Sequence, residues 1–166
     1  MRKSTSPRKE FYGSVARLVE ESLGEDVVGI VAFGSFVYLG RGRDVDVLIV
    51  LRRSVGIGEK LKLERELAGR LSSELDAVFD VHVLSFEDFL ANLAPGSFLS
   101  GLALGYDVLL DKGGVEDAIL EFLERLSGER CILHDERGEW NLSHHARVTL
   151  ELKKRRRSSR REGEVL

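Results

Sequence analysis

Two carboxylates placed one residue apart, Asp44 and Asp46, are the residues best suited to chemistry. They open the apolar segment 44–51, whose composition predicts a buried strand. On a strand, residues two apart project from the same face, so both carboxylates lie side by side while Val45 and Val47 point into the opposite layer. Adjacent carboxylates repel unless a cation lies between them, and proteins usually hold Mg²⁺ with one or two carboxylates plus substrate phosphates. The pair therefore predicts a metal site.

A small-residue turn, Gly34-Ser35, precedes this pair and follows the apolar segment 27–33. Glycine lets backbone N–H groups approach phosphate oxygens, and Ser35 adds a hydroxyl donor. A third carboxylate, Asp80, lies in the later strand-like segment 77–84. Phosphoryl and nucleotidyl transfer need phosphates held in line and developing charge neutralised, and two metal ions supply both. These residues together suit chemistry on a nucleoside triphosphate.

The Gly34-Ser35 turn followed by Asp44-x-Asp46 resembles the signature of the DNA polymerase beta-like nucleotidyltransferase superfamily, particularly its minimal, single-domain branch. The resemblance covers roughly residues 27–110. It implies that Asp44, Asp46 and Asp80 are catalytic and bind two Mg²⁺ ions. It also implies that Gly34 and Ser35 bind the triphosphate of an NTP, with ATP expected, and that Asp80 takes the proton of the acceptor hydroxyl.

The chain departs from the family pattern in the loop between these motifs. Eight residues separate Ser35 from Asp44, about two fewer than is usual, so the turn must be tight. Many members carry an Arg three residues after the Ser, where this chain has Tyr38. Arg41 and Arg43 are the candidates to supply the missing positive charge for nucleotide binding.

The resemblance implies a small enzyme that moves a nucleoside monophosphate, with AMP expected, from an NTP to a hydroxyl acceptor. In the minimal branch one role is that of an antitoxin that adenylylates a tyrosine of a HEPN-type toxin, so such a toxin is a candidate partner. Other relatives modify small molecules or RNA. The alternative is a degenerate, non-catalytic binding module of the same fold that holds a protein or nucleic acid. The sequence also leaves open whether the protein forms a homodimer.

Hydrophobic periodicity predicts an α/β (α+β) fold with a small mixed sheet covered by helices. The predicted helices span 8–23, 59–75, 85–93, 97–104 and 115–128, and the predicted strands span 27–33, 44–51, 77–84 and 106–110. Farther along, 131–133 and 148–150 are candidate short strands. We expect a nucleotidyltransferase domain over 1–128, a C-terminal extension packed on it over 129–152, and a basic, flexible tail over 153–166.

The charge distribution is uneven. Residues 153–166 hold seven basic and two acidic side chains, which gives this segment a charge of +5. Because the formal net charge of the whole chain is −3, residues 1–152 carry a charge of −8. The basic run could bind nucleic acid by counterion release, although a solvated, disordered terminus is the favoured interpretation.

Composition also predicts the compartment. No apolar run approaches the ~20 residues needed to cross a bilayer, and the N-terminus lacks the pattern of a signal peptide. The lone Cys131 can form no internal disulfide and no cysteine-based zinc site. We therefore expect a cytoplasmic protein with no membrane association.

Several other polar residues are interpreted as structural. His82 shares the predicted face of Asp80, but a satisfied structural histidine is the favoured interpretation. Asp76 lies near a predicted helix end, and Asp88 suits a helix cap with Ser85. The spacing of His134, His144 and His145 matches no known metal-ligand pattern.

Overall fold

The computed structural model describes residues 6–40, 44–136 and 138–164. Its helices are α1 (Pro7–Leu23), α2 (Ser35–Tyr38), α3 (Ile57–Leu75), α4 (Phe86–Asn92), α5 (Val115–Gly128) and α6 (Leu142–Glu164). Its strands are β1 (Val27–Phe33), β2 (Asp44–Leu51), β3 (Val78–Ser85), β4 (Tyr106–Asp111), β5 (Ile132–Asp135) and β6 (Gly138–Asn141). Two 3-10 segments span Gly24–Asp26 and Phe98–Leu104. The predicted α/β class is confirmed.

The main sheet is mixed and has the strand order β3-β2-β1-β4. Strand β1 runs antiparallel to both β2 and β4, whereas β2 and β3 are parallel. Parallel neighbours need a long crossover, which α3 provides. The β2–β3 register is continuous from Asp44 opposite Val78 to Leu51 opposite Ser85. This register fixes which side chains of the two strands lie next to each other.

Helices cover both faces of the sheet. One face packs against α1 and α3, and the other packs against α4, α5 and α6. All seven residues of β1 are therefore buried, which explains its nearly continuous apolar sequence. Alternation along β2 places Val45 and Val47 in the core under α1 and α3. Asp44 and Asp46 consequently face the other side of the sheet, as predicted.

Local signals set the helix ends. The Ser6 hydroxyl accepts a hydrogen bond from the Lys9 N–H at 3.3 Å, and Pro7 occupies the first turn of α1. The Ser85 hydroxyl accepts one from the Asp88 N–H at 3.1 Å, which confirms the predicted cap. Asp76 ends α3 in the left-handed conformation, with φ of 50°, so its structural interpretation is also confirmed.

The C-terminal region differs from the sequence-based expectation. The strand predicted over 148–150 is wrong, because these residues lie in α6. The flexible tail predicted from residue 153 onward is helical as far as Glu164. Leu142, Ala146 and Leu150 recur every four residues and are buried in the core, so they attach the start of α6 to the sheet. The helix then continues beyond that buried segment.

Pairing with carboxylates on α5 helps explain why the basic segment is ordered. Arg157 lies 3.2 Å from Asp117, and Lys154 lies 3.3 Å from Glu124. These pairs reduce the repulsion within the basic run that favours disorder in isolation. Among the described residues, no helix is long and apolar enough to cross a membrane.

Candidate functional site

The strand register places two of the predicted ligands opposite each other. Asp46 of β2 and Asp80 of β3 are register partners, and Phe33 at the end of β1 is the antiparallel partner of Asp46. Side chains of adjacent register partners lie on the same face of a sheet. The structure thus brings Asp46 and Asp80 together at the end of the sheet where β1 leads into α2.

Gly34 forms one wall of this site. Its φ of +79° belongs to the region that favours glycine, and α2 begins at the next residue. A Cβ built on Gly34 would lie 2.1 Å from Oδ2 of Asp46, so no larger residue fits without moving that carboxylate. The small-residue turn and the strand carboxylate are therefore in direct contact.

His82 completes the cluster. One ligand atom from each of Asp46, Asp80 and His82 lies within 4.8 Å of the others, and this is the only such group of three or more among the described residues. Nε2 of His82 lies 3.5 Å from Oδ2 of Asp80. The imidazole also packs near the rings of Phe33 and Phe98, with centroids 5.9 and 5.2 Å away. The arrangement resembles a small metal-binding set of two carboxylates and one nitrogen.

The electrostatics of Asp46 are unfavourable in the absence of a cation. Burial raises the pKa of this half-buried carboxyl, and the Asp80 and Asp44 charges raise it further, while His82 acts in the opposite direction. Each effect that raises the pKa disfavours the ionised form. A divalent cation would reverse this balance, because it stabilises the carboxylates that now repel each other.

The other predicted residues are placed as follows. Asp44 begins β2, is exposed and does not belong to the group of three, although its charge acts on Asp46. Ser35 is the first residue of α2. Arg41 and Arg43 lie outside the described residues, so their predicted role stays a prediction.

Sequence reasoning placed His82 on the correct face but did not include it in the site. The signal was present in the spacing, because His82 follows Asp80 by two residues on one strand. The sequence could not predict that Phe98 packs near the His82 imidazole, because Phe98 lies in a 3-10 helix distant in sequence. The structural interpretation of His82 stays a prediction.

The chain is similar to solved toxin–antitoxin complexes. One holds a tri-AMPylated HEPN toxin of Shewanella oneidensis with MNT antitoxin, at 17% identity and a TM-score of 0.47 over 74% of this chain and 92% of that chain. Another is the MntA–HepT toxin–antitoxin, at 17% identity and a TM-score of 0.46 over 74% and 92%. A third is a toxin–antitoxin with AMP-PNP, at 18% identity and a TM-score of 0.47 over 71% and 91%.

No family model and no curated protein matches the chain. At these identities and TM-scores, the argument for function depends on the geometry of Gly34, Asp46 and Asp80.

Proposed function

We propose that the protein is a Mg²⁺-dependent nucleotidyltransferase that moves a nucleoside monophosphate from an NTP to a hydroxyl acceptor. The observation that carries the proposal is the contact of the Gly34 turn with Asp46, opposite Asp80 on the neighbouring strand. Two adjacent carboxylates can hold divalent cations, and a glycine turn lets backbone N–H groups approach phosphate oxygens.

The residues present suit a divalent metal. Oxygen ligands are those that Mg²⁺ prefers, and Asp46 and Asp80 offer them from neighbouring strands, with Asp44 available at the exposed edge. The raised pKa of Asp46 also supports a metal site, because a bound cation would offset the repulsion from Asp80 and Asp44 that contributes to the raised pKa. When bound, the metal would neutralise negative charge that develops on the triphosphate. We propose two ions, held by Asp44, Asp46 and Asp80.

The chain's own residues have separate roles in this proposal. Gly34 leaves space for phosphate oxygens, and Ser35 donates from its hydroxyl and its backbone N–H. Asp80 is the carboxylate available to the acceptor, because its side chain is 60% exposed and it can accept the hydroxyl proton. Arg41 and Arg43 would add positive charge beside the triphosphate.

We infer ATP as the nucleotide and a hydroxyl on a protein as the first acceptor to test. A HEPN-type toxin is the candidate partner, on the resemblance of the sequence motifs. RNA and small molecules are the other acceptor classes, and we propose that the reaction takes place in the cytoplasm. A homodimer is a further proposal, to be measured by light scattering.

The test is transfer of label from α-labelled ATP, and then from the other three triphosphates, into cell extract in Mg²⁺. We expect label in one acceptor class with the intact chain and none with Asp44→Ala/Asp46→Ala. Asp88→Ala is the control, since the Asp88 side chain is exposed in the first turn of α4 and lies outside the site. If no nucleotide gives transfer and none raises the melting temperature with Mg²⁺, the degenerate binding module replaces the enzyme.

A further inference from the structure

A cleft away from the carboxylates lies along the free edge of β4. It measures about 710 Å³ and is bounded by α1 on one side and α6 on the other. Neither Gly34, Asp46 nor Asp80 lines it. Its volume is in the range of sites that hold small or extended ligands. The proposed transfer reaction does not use this cleft.

The cleft is lined by an unusual number of cations for an acidic chain. The six basic residues that line it are Arg8, Lys9, Lys153, Arg156, Arg157 and Arg160, against two acidic ones, Asp107 and Glu116. The whole chain has a formal net charge of −3. A positive region on a negative molecule concentrates anions at one place.

The cations of α6 form one row. Lys153, Arg156, Arg157 and Arg160 are spaced three and four residues apart, so they share a face of the helix. Seven residues of helix extend about 10 Å, which is longer than a single phosphate group. On the opposite wall, Arg8 and Lys9 extend the positive surface. The arrangement suits several phosphates in sequence along a chain.

Contacts within the protein hold parts of this wall in place. Nζ of Lys153 donates to the Tyr106 carbonyl at 2.6 Å and lies 4.1 Å from the centroid of the Tyr106 ring. Arg8 donates to the Phe36 carbonyl of α2 at 2.9 Å. This hydrogen bond joins Arg8 of the cleft to α2, the helix that begins directly after Gly34.

Much of the positive charge is left without an anionic partner. Arg156 lies 3.9 Å from Asp107, and Arg157 lies 3.2 Å from Asp117. Within the described ranges no ion pair involves Lys9 or Arg160. Burial lowers the pKa of Lys153, and Arg156 and Arg160 lower it further, while Asp107 and Glu116 oppose this. Such crowding of like charges is relieved by a bound anion.

We propose that this cleft binds the phosphate backbone of a single-stranded nucleic acid. Arginine suits phosphate because its guanidinium forms two parallel hydrogen bonds, and four of the six cations are arginines. The row exceeds one phosphate in length, which favours a ligand with several phosphates in series over a single phosphate group. The proposal concerns binding and holds whether or not the protein transfers nucleotides.

The test measures fluorescence anisotropy of a labelled 12-nucleotide RNA with the full chain, without Mg²⁺ or NTP. Lys9→Glu/Arg160→Glu reverses two cations that form no ion pair with the part of the chain that the structure describes, so we expect folding to be unaffected. Arg155→Glu/Arg161→Glu is the matched control, because both residues are exposed on α6 outside the cleft and give the same change in net charge. Circular dichroism checks that both variants are folded.

We expect a Kd of about 1–10 μM at low salt and a loss of about tenfold or more in the cleft variant, against less than about threefold in the control. The slope of log affinity against log salt should fall by about 1.4 in the cleft variant, which corresponds to two phosphate contacts on a single strand. Equal losses in both variants would assign binding to the basic helix in general and overturn the proposal. Absence of binding would also overturn it.

A nucleotide arm separates the cleft from the transfer site. A saturating non-hydrolysable ATP analogue with Mg²⁺ is added to the preformed RNA complex. We expect the RNA to stay bound, and displacement of the RNA would place the triphosphate in the cleft and overturn the proposal. Asp46→Asn should bind RNA as the unmodified chain does, so a failure of transfer and a failure of RNA binding remain distinguishable.

Discussion

At the residue scale, the site depends on one contact between a turn and a strand. The sequence was sufficient to predict that Asp46 shares a face with Asp44, because alternation along a strand is local. It was also sufficient to select Asp80 as a third carboxylate. It could not show that Gly34 touches Asp46, because that contact depends on the pairing of β1 with β2.

Asp46→Asn tests the electrostatics of this contact. The variant removes the charge that is disfavoured by burial and by Asp80, so the melting temperature without metal should stay the same or rise. In the unmodified chain, Mg²⁺ with a non-hydrolysable ATP analogue at 100 times its Kd should add about 2.7 kcal/mol, or roughly 5–10 °C. We expect this rise to disappear in the variant, as measured by differential scanning fluorimetry. A ligand-dependent rise that survives in Asp46→Asn would remove Asp46 from the site.

Gly34→Ala tests the turn, with Gly114→Ala as the matched control. The two glycines have φ values of +79° and +78°, but only at Gly34 would a Cβ meet another atom, since nothing lies within 4 Å at Gly114. Gly114→Ala should lose about 1–2 kcal/mol of unfolding free energy in urea, because Gly114 is left-handed with a ψ of 28°. Gly34→Ala should lose more, because a ψ of −169° at Gly34 is open essentially to glycine alone and the added Cβ would meet Asp46. Only Gly34→Ala should lose transfer activity, by about 100-fold, since it displaces the Asp46 carboxylate. Equal activity in the two variants would contradict the contact.

At the element scale, the elements with strong local signals matched the structure, and those that depend on distant contacts did not. Helices α1, α3 and α5 carry regular apolar spacing and were predicted within a few residues. Helix α6 was missed because most of it is highly charged, and its order depends on a short buried start and on pairs with α5. Such pairs link residues far apart in sequence, so no local pattern reports them.

Thr149→Val tests how α6 is attached. The buried Thr149 hydroxyl donates to the Ala103 carbonyl at 2.7 Å. Valine keeps the shape but leaves that carbonyl without its partner, so the unfolding free energy should fall by about 1–3 kcal/mol. Val148→Ala on the exposed side of α6 should change it by less than about 0.5 kcal/mol. Urea unfolding followed by circular dichroism measures both, and equal effects would contradict the attachment.

Asp111→Ala tests the start of α5. Burial raises the pKa of Asp111, but the backbone N–H groups of residues 113–116 donate to its carboxylate and bring the pKa below its usual value. A lowered folded-state pKa means stability that is present above the unfolded pKa, near 3.9, and lost as the pH falls through the folded one.

We expect Asp111→Ala to cost about 1–2 kcal/mol at pH 7 and less at pH 3. Urea midpoints of both chains at the two pH values measure the difference. A cost that stays constant with pH would show that the ionised carboxylate is not what holds the turn before α5.

At the scale of the whole molecule, the first and last helices of the described chain lie on either side of one cleft. Helix α1 and helix α6 flank the free edge of β4, and Arg8 of α1 contacts α2 directly after the Gly34 turn. The sequence showed a basic C-terminal run but not that it faces Arg8 and Lys9. Arg8 and Lys9 lie across one cleft from the basic residues of α6 only because of the three-dimensional arrangement of the sheet and its helices.

We propose that the site formed by the carboxylates near the start of β2 and β3 transfers a nucleoside monophosphate and not a phosphate. The most direct measurement compares α-labelled with γ-labelled ATP in parallel reactions, with Mg²⁺ and the same acceptor mixture. We expect the acceptor to take up α-label only, the γ-label to leave as pyrophosphate, and Asp46→Asn to abolish the uptake. Uptake of γ-label would mean phosphoryl transfer, and uptake of α-label by Asp46→Asn would place the chemistry elsewhere; either result would contradict the claim.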